Sequence, residues 1–313
     1  MSGTGRSTAQ VIDVHHHFEP TGKNVDGTPW AIESAIEQMD RNAVRAAIGY
    51  SGPVFDRDAR TGRTQARTMN EWSTAICTAH PGRFGLFASL PMNDVAGSLS
   101  EIAYAFDVLN ADGIGLAPHY DGVYLGEARF RPIFEELHRR NAVVYVHPSG
   151  GSSCPAPRPA AQDELISAPW IDFPTDTART ILSLWAAGVT RELPGIRFLF
   201  CHGGGVMPML LGRIAGFSEW VTVGPDRLEA LFPDGVYAEF AKLYFECAQA
   251  YAPETFAMLR TLLPATHLLY GSDFSYFKIA HSVKQFASLA LPDDERRMIA
   301  GENAATLLPR WKR

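Results

Sequence analysis

The chain lacks most features that would tie it to a membrane, a nucleic acid or an oxidising compartment. No apolar run approaches the ~20 residues that a membrane-spanning helix needs. Lysine and arginine number 28 against 34 aspartates and glutamates, and the formal net charge is −6. The basic residues form no block, which argues against the clustered positive face of a nucleic-acid binder. Cysteine is scarce, and Cys77, Cys154, Cys201 and Cys247 are widely spaced with no CxxC pair. That argues against a disulfide framework or a thiolate metal site and fits a reducing compartment. Residues 1–10 are small and polar, without the apolar core of a secretory signal. The expectation is a cytoplasmic protein with a short polar tail at 1–10.

What is present is ample apolar content, 46% of 313 residues. Length alone suggests about two domains, but α/β barrels reach this size as one. Short apolar runs at 11–15, 46–50, 84–88, 113–116, 143–147, 198–201, 243–246 and 267–271 read as strands. Helical spacing fills the gaps at 31–42, 64–80, 95–110, 130–140, 175–187, 208–220 and 253–263. Shorter helices are expected at 283–289 and 302–308. No linker or repeat interrupts this alternation. It predicts an α/β fold with a parallel sheet covered by helices. A single (β/α)8 TIM barrel over 1–313 is the simplest solution, and an open doubly wound sheet is the alternative.

The chemistry-bearing residues fall at the C-terminal ends of these runs, where such barrels place their active sites. In Asp13-Val14-His15-His16-His17 alternate side chains share a face. His15 and His17 can then bind one metal ion, with Asp13 orienting them from behind. Val146-His147-Pro148 puts a histidine at a strand end, because proline stops the strand there. Cys201-His202 runs into Gly203-Gly204-Gly205, which lets backbone approach a ligand closely. This is neither a phosphate loop nor a dinucleotide fingerprint. Gly271-Ser272-Asp273 supplies a carboxylate after the last strand. Imidazoles with a carboxylate and no thiolate suit Zn, and also Mn, Fe or Co. Such a site keeps an open position for water or substrate. Tyr50, His119, Tyr120, Trp170, Phe173 and Phe274 are candidates for the pocket wall. Arg57, Arg60 and Arg63 are candidates for a substrate carboxylate, or for a solvated loop.

These motifs resemble the amidohydrolase superfamily, in its branch of metal-dependent decarboxylases. The resemblance extends to Pro81-Gly82-Arg83-Phe84, Asp121-Gly122-Val123-Tyr124-Leu125-Gly126 and Gly301-Glu302-Asn303-Ala304-Ala305. It is similar both to aminocarboxymuconate-semialdehyde decarboxylases and to enzymes acting on resorcylate or methylsalicylate. The resemblance implies one divalent metal, Zn before Mn, held by His15, His17, His147 and Asp273. It implies His202 as the catalytic acid/base near the metal-bound water, while the carboxylate of Asp273 by itself reads as a metal ligand, a proton carrier or a loop cap. Arg213 lies at the same offset after His202 as an arginine that grips a substrate carboxylate in related enzymes. There it can come from the neighbouring subunit, so a homodimer or higher oligomer is implied. A surface salt bridge is the alternative role for Arg213. The stretch 20–29 is shorter than its counterpart in the muconate enzymes, and 173–179 looks more like the methylsalicylate type. Ser272 and Ser275-Tyr276 replace residues more often Thr and Pro-Phe.

The implied reaction is non-oxidative decarboxylation of a small aromatic or unsaturated acid. Protonation of the carboxylate-bearing carbon, by Asp273 or by water on the metal, precedes loss of CO2. Mononuclear hydrolysis of a lactone, ester or amide is the main alternative. A hydratase and a non-catalytic metal-binding barrel rank below it.

Overall fold

The computed structural model describes residues 10–24, 27–149, 168–220 and 224–312. Cys154 and residues 1–9 of the expected tail lie outside the described residues. The strands are β1 (Val11–His17), β2 (Val44–Tyr50), β3 (Phe84–Ser89), β4 (Gly113–Leu116), β5 (His119–Tyr120), β6 (Val123–Tyr124), β7 (Val143–Val146), β8 (Arg197–Phe200), β9 (Tyr244–Glu246) and β10 (Leu268–Leu269). Eight of them form one parallel sheet in the order β1-β2-β3-β4-β7-β8-β9-β10. The ring closes because Val14 N–H donates to the Tyr270 carbonyl at 3.1 Å and Asp273 N–H to that of His15 at 2.9 Å. A barrel, and not an open sheet, is therefore the architecture. All eight expected strands are present. The small β5–β6 hairpin adds to them, because two-residue strands carry no periodicity that a sequence pattern can reveal.

Period-two alternation sorts side chains into two layers. From β2, Ala46, Ile48 and Tyr50 join Phe87, Tyr145, Leu199 and Leu269 inside the barrel. Ala47 faces outward onto Ala35 and Met39. Leu86 and Ala88 likewise face outward, into the larger layer between strands and helices.

The helices of that layer are α1 (Ile32–Arg41), α2 (Ala59–Ala79), α3 (Val95–Asp107), α4 (Arg131–Arg139), α5 (Ala168–Ala186), α6 (Val189–Glu192) and α7 (Met207–Gly216). They continue with α8 (Gly224–Leu231), α9 (Val236–Ala241), α10 (Pro253–Leu262), α11 (Ile279–Ser288), α12 (Asp293–Arg297) and α13 (Asn303–Leu307). Helix α2 starts before the expected 64. The Asp58 side chain caps it by accepting Thr61 N–H at 2.8 Å, and its polar first turn shows no apolar period. Helix α5 also starts earlier than the expected 175 and carries Pro174 inside it, a residue that usually breaks or kinks a helix interior.

Candidate metal centre

His15 and His17 leave the top of β1, His147 follows β7, His202 follows β8, and Asp273 follows β10. Closure of the barrel brings these five together. One donor atom each from His15, His17, His147 and Asp273 lies within 4.8 Å of the others. His15 Nε2 is 3.1 Å from Asp273 Oδ1, and His17 Nε2 is 3.2 Å from the same oxygen. The His147 ring stands edge-on to both, at 4.7 and 4.8 Å between centroids. His202 Nε2 sits 3.5 Å from the other carboxylate oxygen, Oδ2. His202 and Asp273 both hold positive φ, 53° and 58°. Backbone strain of this kind persists only where surrounding contacts enforce it.

Electrostatics split the imidazoles. Burial opposes charge on His15, but Glu246 and then Asp273 outweigh it and raise its pKa to about 10. Burial lowers His17 despite its hydrogen bond to Asp273. His147 is held well below the usual histidine range by burial and then by the neighbouring His15, His17 and His202. Burial works to raise Asp273, yet His15 first, then His17 and His202, hold it well below the usual carboxylate range. His17 and His147 as neutral imidazoles and Asp273 as an ionised carboxylate match the donor states that a divalent cation requires, and His15 reaches its own by giving up a proton. A cation also balances the buried anions, a task otherwise left to one imidazolium.

The Asp13 carboxylate holds His15 through its backbone, Oδ1 accepting His15 N–H at 3.1 Å, and does not share the ring face of His15 and His17. A register shift in the β1–β2 pairing between Asp13 and His16 breaks the alternation. Asp13 therefore meets the His16 ring, at 3.3 Å, and accepts from Ser272 N–H (2.9 Å) and Oγ. It fastens β1 to the loop that carries Asp273. The residue that does grip the His15 imidazole is Glu246 at the end of β9. Its Oε1 lies 2.8 Å from His15 Nδ1. The sequence hint was a glutamate closing the apolar run 243–246, the same pattern that exposed the histidines.

The wall candidates divide. Tyr50 lies in the barrel, its ring 6.5 Å from that of His147. Phe173 is half-buried on α5, next to Pro174, whose carbonyl accepts Val206 N–H just beyond the His202 turn. Phe274 is on the wrong side of β1, because its ring packs against His16 at 4.8 Å. Tyr276 stands beside the cluster instead, its ring 4.9 Å from that of His17. His119 is buried with Nε2 3.6 Å from Asp176, while its Nδ1 accepts Gly122 N–H at 3.3 Å. Tyr120 belongs to the core, and Trp170 is exposed on the first turn of α5. Arg57 pairs with Asp121 at 2.8 Å, and Arg63 pairs with Asp94. Arg60 is exposed. Arg213 lies exposed on α7 with its guanidinium 5.5 Å over the Phe217 ring. The glycine run after His202 serves packing: a Cβ on Gly205 would collide with the Pro174 carbonyl.

Fold and site together define a (β/α)8 barrel with a cluster of three histidines and an aspartate that could hold a metal at its catalytic rim. Residues 12–310 match the amidohydrolase family, and the chain belongs to it, in the decarboxylase branch that its motifs resemble. It is 33% identical to 6-methylsalicylic acid decarboxylase acuB of Aspergillus aculeatus, over 96% of this chain and 97% of that one. Its fold matches 2,6-dihydroxybenzoate decarboxylase from Rhizobium with a TM-score of 0.81, at 21% identity, covering 96% and 99% of the two chains. It matches manganese-bound 5-carboxyvanillate decarboxylase from Novosphingobium aromaticivorans at 0.84 and 18% identity, covering 97% and 98%. No helix among the described residues is long and apolar enough to cross a membrane.

Proposed function

We propose that this protein is a metal-dependent, non-oxidative decarboxylase of a small hydroxybenzoate- or methylsalicylate-type acid. The observation that carries the reading is the convergence of His15, His17, His147 and Asp273, with His202 Nε2 3.5 Å from the second Asp273 oxygen. The 33% identity to a 6-methylsalicylic acid decarboxylase supports the substrate class.

The donor set of three imidazoles and one carboxylate fits Zn or Mn. His15, His17, His147 and Asp273 would hold it, and when bound the metal polarises the substrate's oxygens as a Lewis acid. The chain's own residues manage the proton. Asp273 Oδ2 faces His202, so a proton can pass from His202 to Asp273. Asp273 then gives it to the ring carbon that bears the carboxylate. The carbon–carboxylate bond breaks, its electrons return to the ring, and CO2 departs. Tyr276 walls the entrance beside His17, and Phe173 the side nearest His202. We assign Arg213 to the substrate carboxylate of a neighbouring subunit in a homodimer. The chain is read as one barrel domain, acting in the cytoplasm on a small-molecule acid.

The test joins metal analysis of the purified protein to a CO2-release screen over hydroxybenzoates, methylsalicylates and muconate semialdehydes. About one Zn or Mn per chain with CO2 release is expected. Metal without CO2 from any acid would move the assignment to mononuclear hydrolysis of a lactone, ester or amide. Absence of metal would undo the site.

A further inference from the structure

Glu246 is completely buried, and a carboxylate in that position is costly unless donors surround it. Three do. Oε1 takes His15 Nδ1 at 2.8 Å and the backbone N–H of His202 at 2.6 Å. Oε2 takes the N–H of Ala248 at 2.7 Å. Space for the group comes from Gly271, where a Cβ would collide with Oε2. One oxygen therefore touches both a metal-ligand candidate and the backbone of the proposed acid/base.

We propose that Glu246 is the positioning residue that couples the metal to His202, an inference that rests on the metal reading above. By accepting from His15 Nδ1–H it leaves the Nε2 lone pair facing His17 and Asp273. By holding His202 N–H it secures the strained turn, φ 53°, that presents the His202 ring to Asp273. A ligand imidazole that donates its other N–H to a carboxylate is fixed in tautomer and orientation. Here the same oxygen extends that control to a second histidine.

An amide cannot replace the carboxylate. In Glu246→Gln, an amide oxygen turned toward His15 leaves the NH2 opposing Ala248 N–H. With the amide flipped, its NH2 opposes His202 N–H and demands that His15 Nδ1 accept, which moves the ring proton onto Nε2. Either arrangement sets donor against donor.

The experiment compares wild type, Glu246→Gln and Gly271→Ala by chelator competition with Zn²⁺ and Mn²⁺. Histidine ¹⁵N spectra of the zinc-loaded proteins accompany it, with His15 assigned from a His15→Asn variant. We expect zinc and manganese affinity to fall about 10- to 100-fold in both Glu246→Gln and Gly271→Ala. In wild type, His15 should show a protonated Nδ1 that exchanges slowly, and in Glu246→Gln that signal should be lost. Wild-type metal retention with unchanged affinity in Glu246→Gln would overturn this inference alone. So would a wild-type His15 bound through Nδ1, even if the variants failed to fold. A wild type that retains no metal would overturn the metal reading and this inference with it.

Discussion

Metal affinity should rise with pH across the neutral range, because His15 must surrender a proton to bind. Its pKa is raised to about 10, so below that value the ring is an imidazolium and the proton competes with the cation. Affinity is therefore lost as pH falls and regained as it rises, levelling off near pH 10. His17 and His147 are lowered, so they stay neutral across the window and add no slope. Asp273 is lowered too and remains ionised. One competing proton costs about tenfold, or about 1.36 kcal/mol, per pH unit. Between about pH 8.5 and 6.5 the affinity should drop roughly 100-fold, or about 2.7 kcal/mol. The assay is chelator competition at both pH values, corrected for protonation of the chelator. Calorimetry in two buffers of different ionisation enthalpy should then show about one proton released per metal. A flat affinity with no proton release would refute the charge balance argued for Glu246, His15 and Asp273.

Three further outcomes are expected. His202→Asn should lower kcat by about 10²- to 10⁴-fold while metal content stays normal; unchanged turnover would remove His202 from the proton path. Tyr276→Ala should raise KM with metal stoichiometry unchanged, because its exposed ring stands 4.9 Å from that of His17; steady-state kinetics decide this. Gly205→Ala should destabilise by about 3 kcal/mol, since a side chain there is strained at φ 62° and meets the Pro174 backbone. Urea unfolding measures that loss, and a stability equal to wild type would show that the turn can relax.

His15, His17, His147, His202 and Asp273 were legible because each ends an apolar run, and in a parallel barrel all run ends lie on one rim. Tyr276 was harder to read. Its side of the site depends on how the chain turns after Asp273, which sends Phe274 toward His16 and Tyr276 toward His17. Asp13 was misplaced because a bulge reverses the alternation that the sequence pattern assumes. Glu246 showed the same strand-end pattern as the histidines but had no obvious metal role alone.

The order of strands and helices and the residues at the rim could be read from the sequence alone. Those follow from local periodicity and residue type, which need no partner to be read. Closure of the sheet, the register shift of β1 and the reach of Glu246 to His15, from a strand 231 residues further along the chain, emerge only in three dimensions. Such contacts depend on closure and on the room left by a single glycine. Neither leaves a mark in the hydrophobic pattern of any one segment.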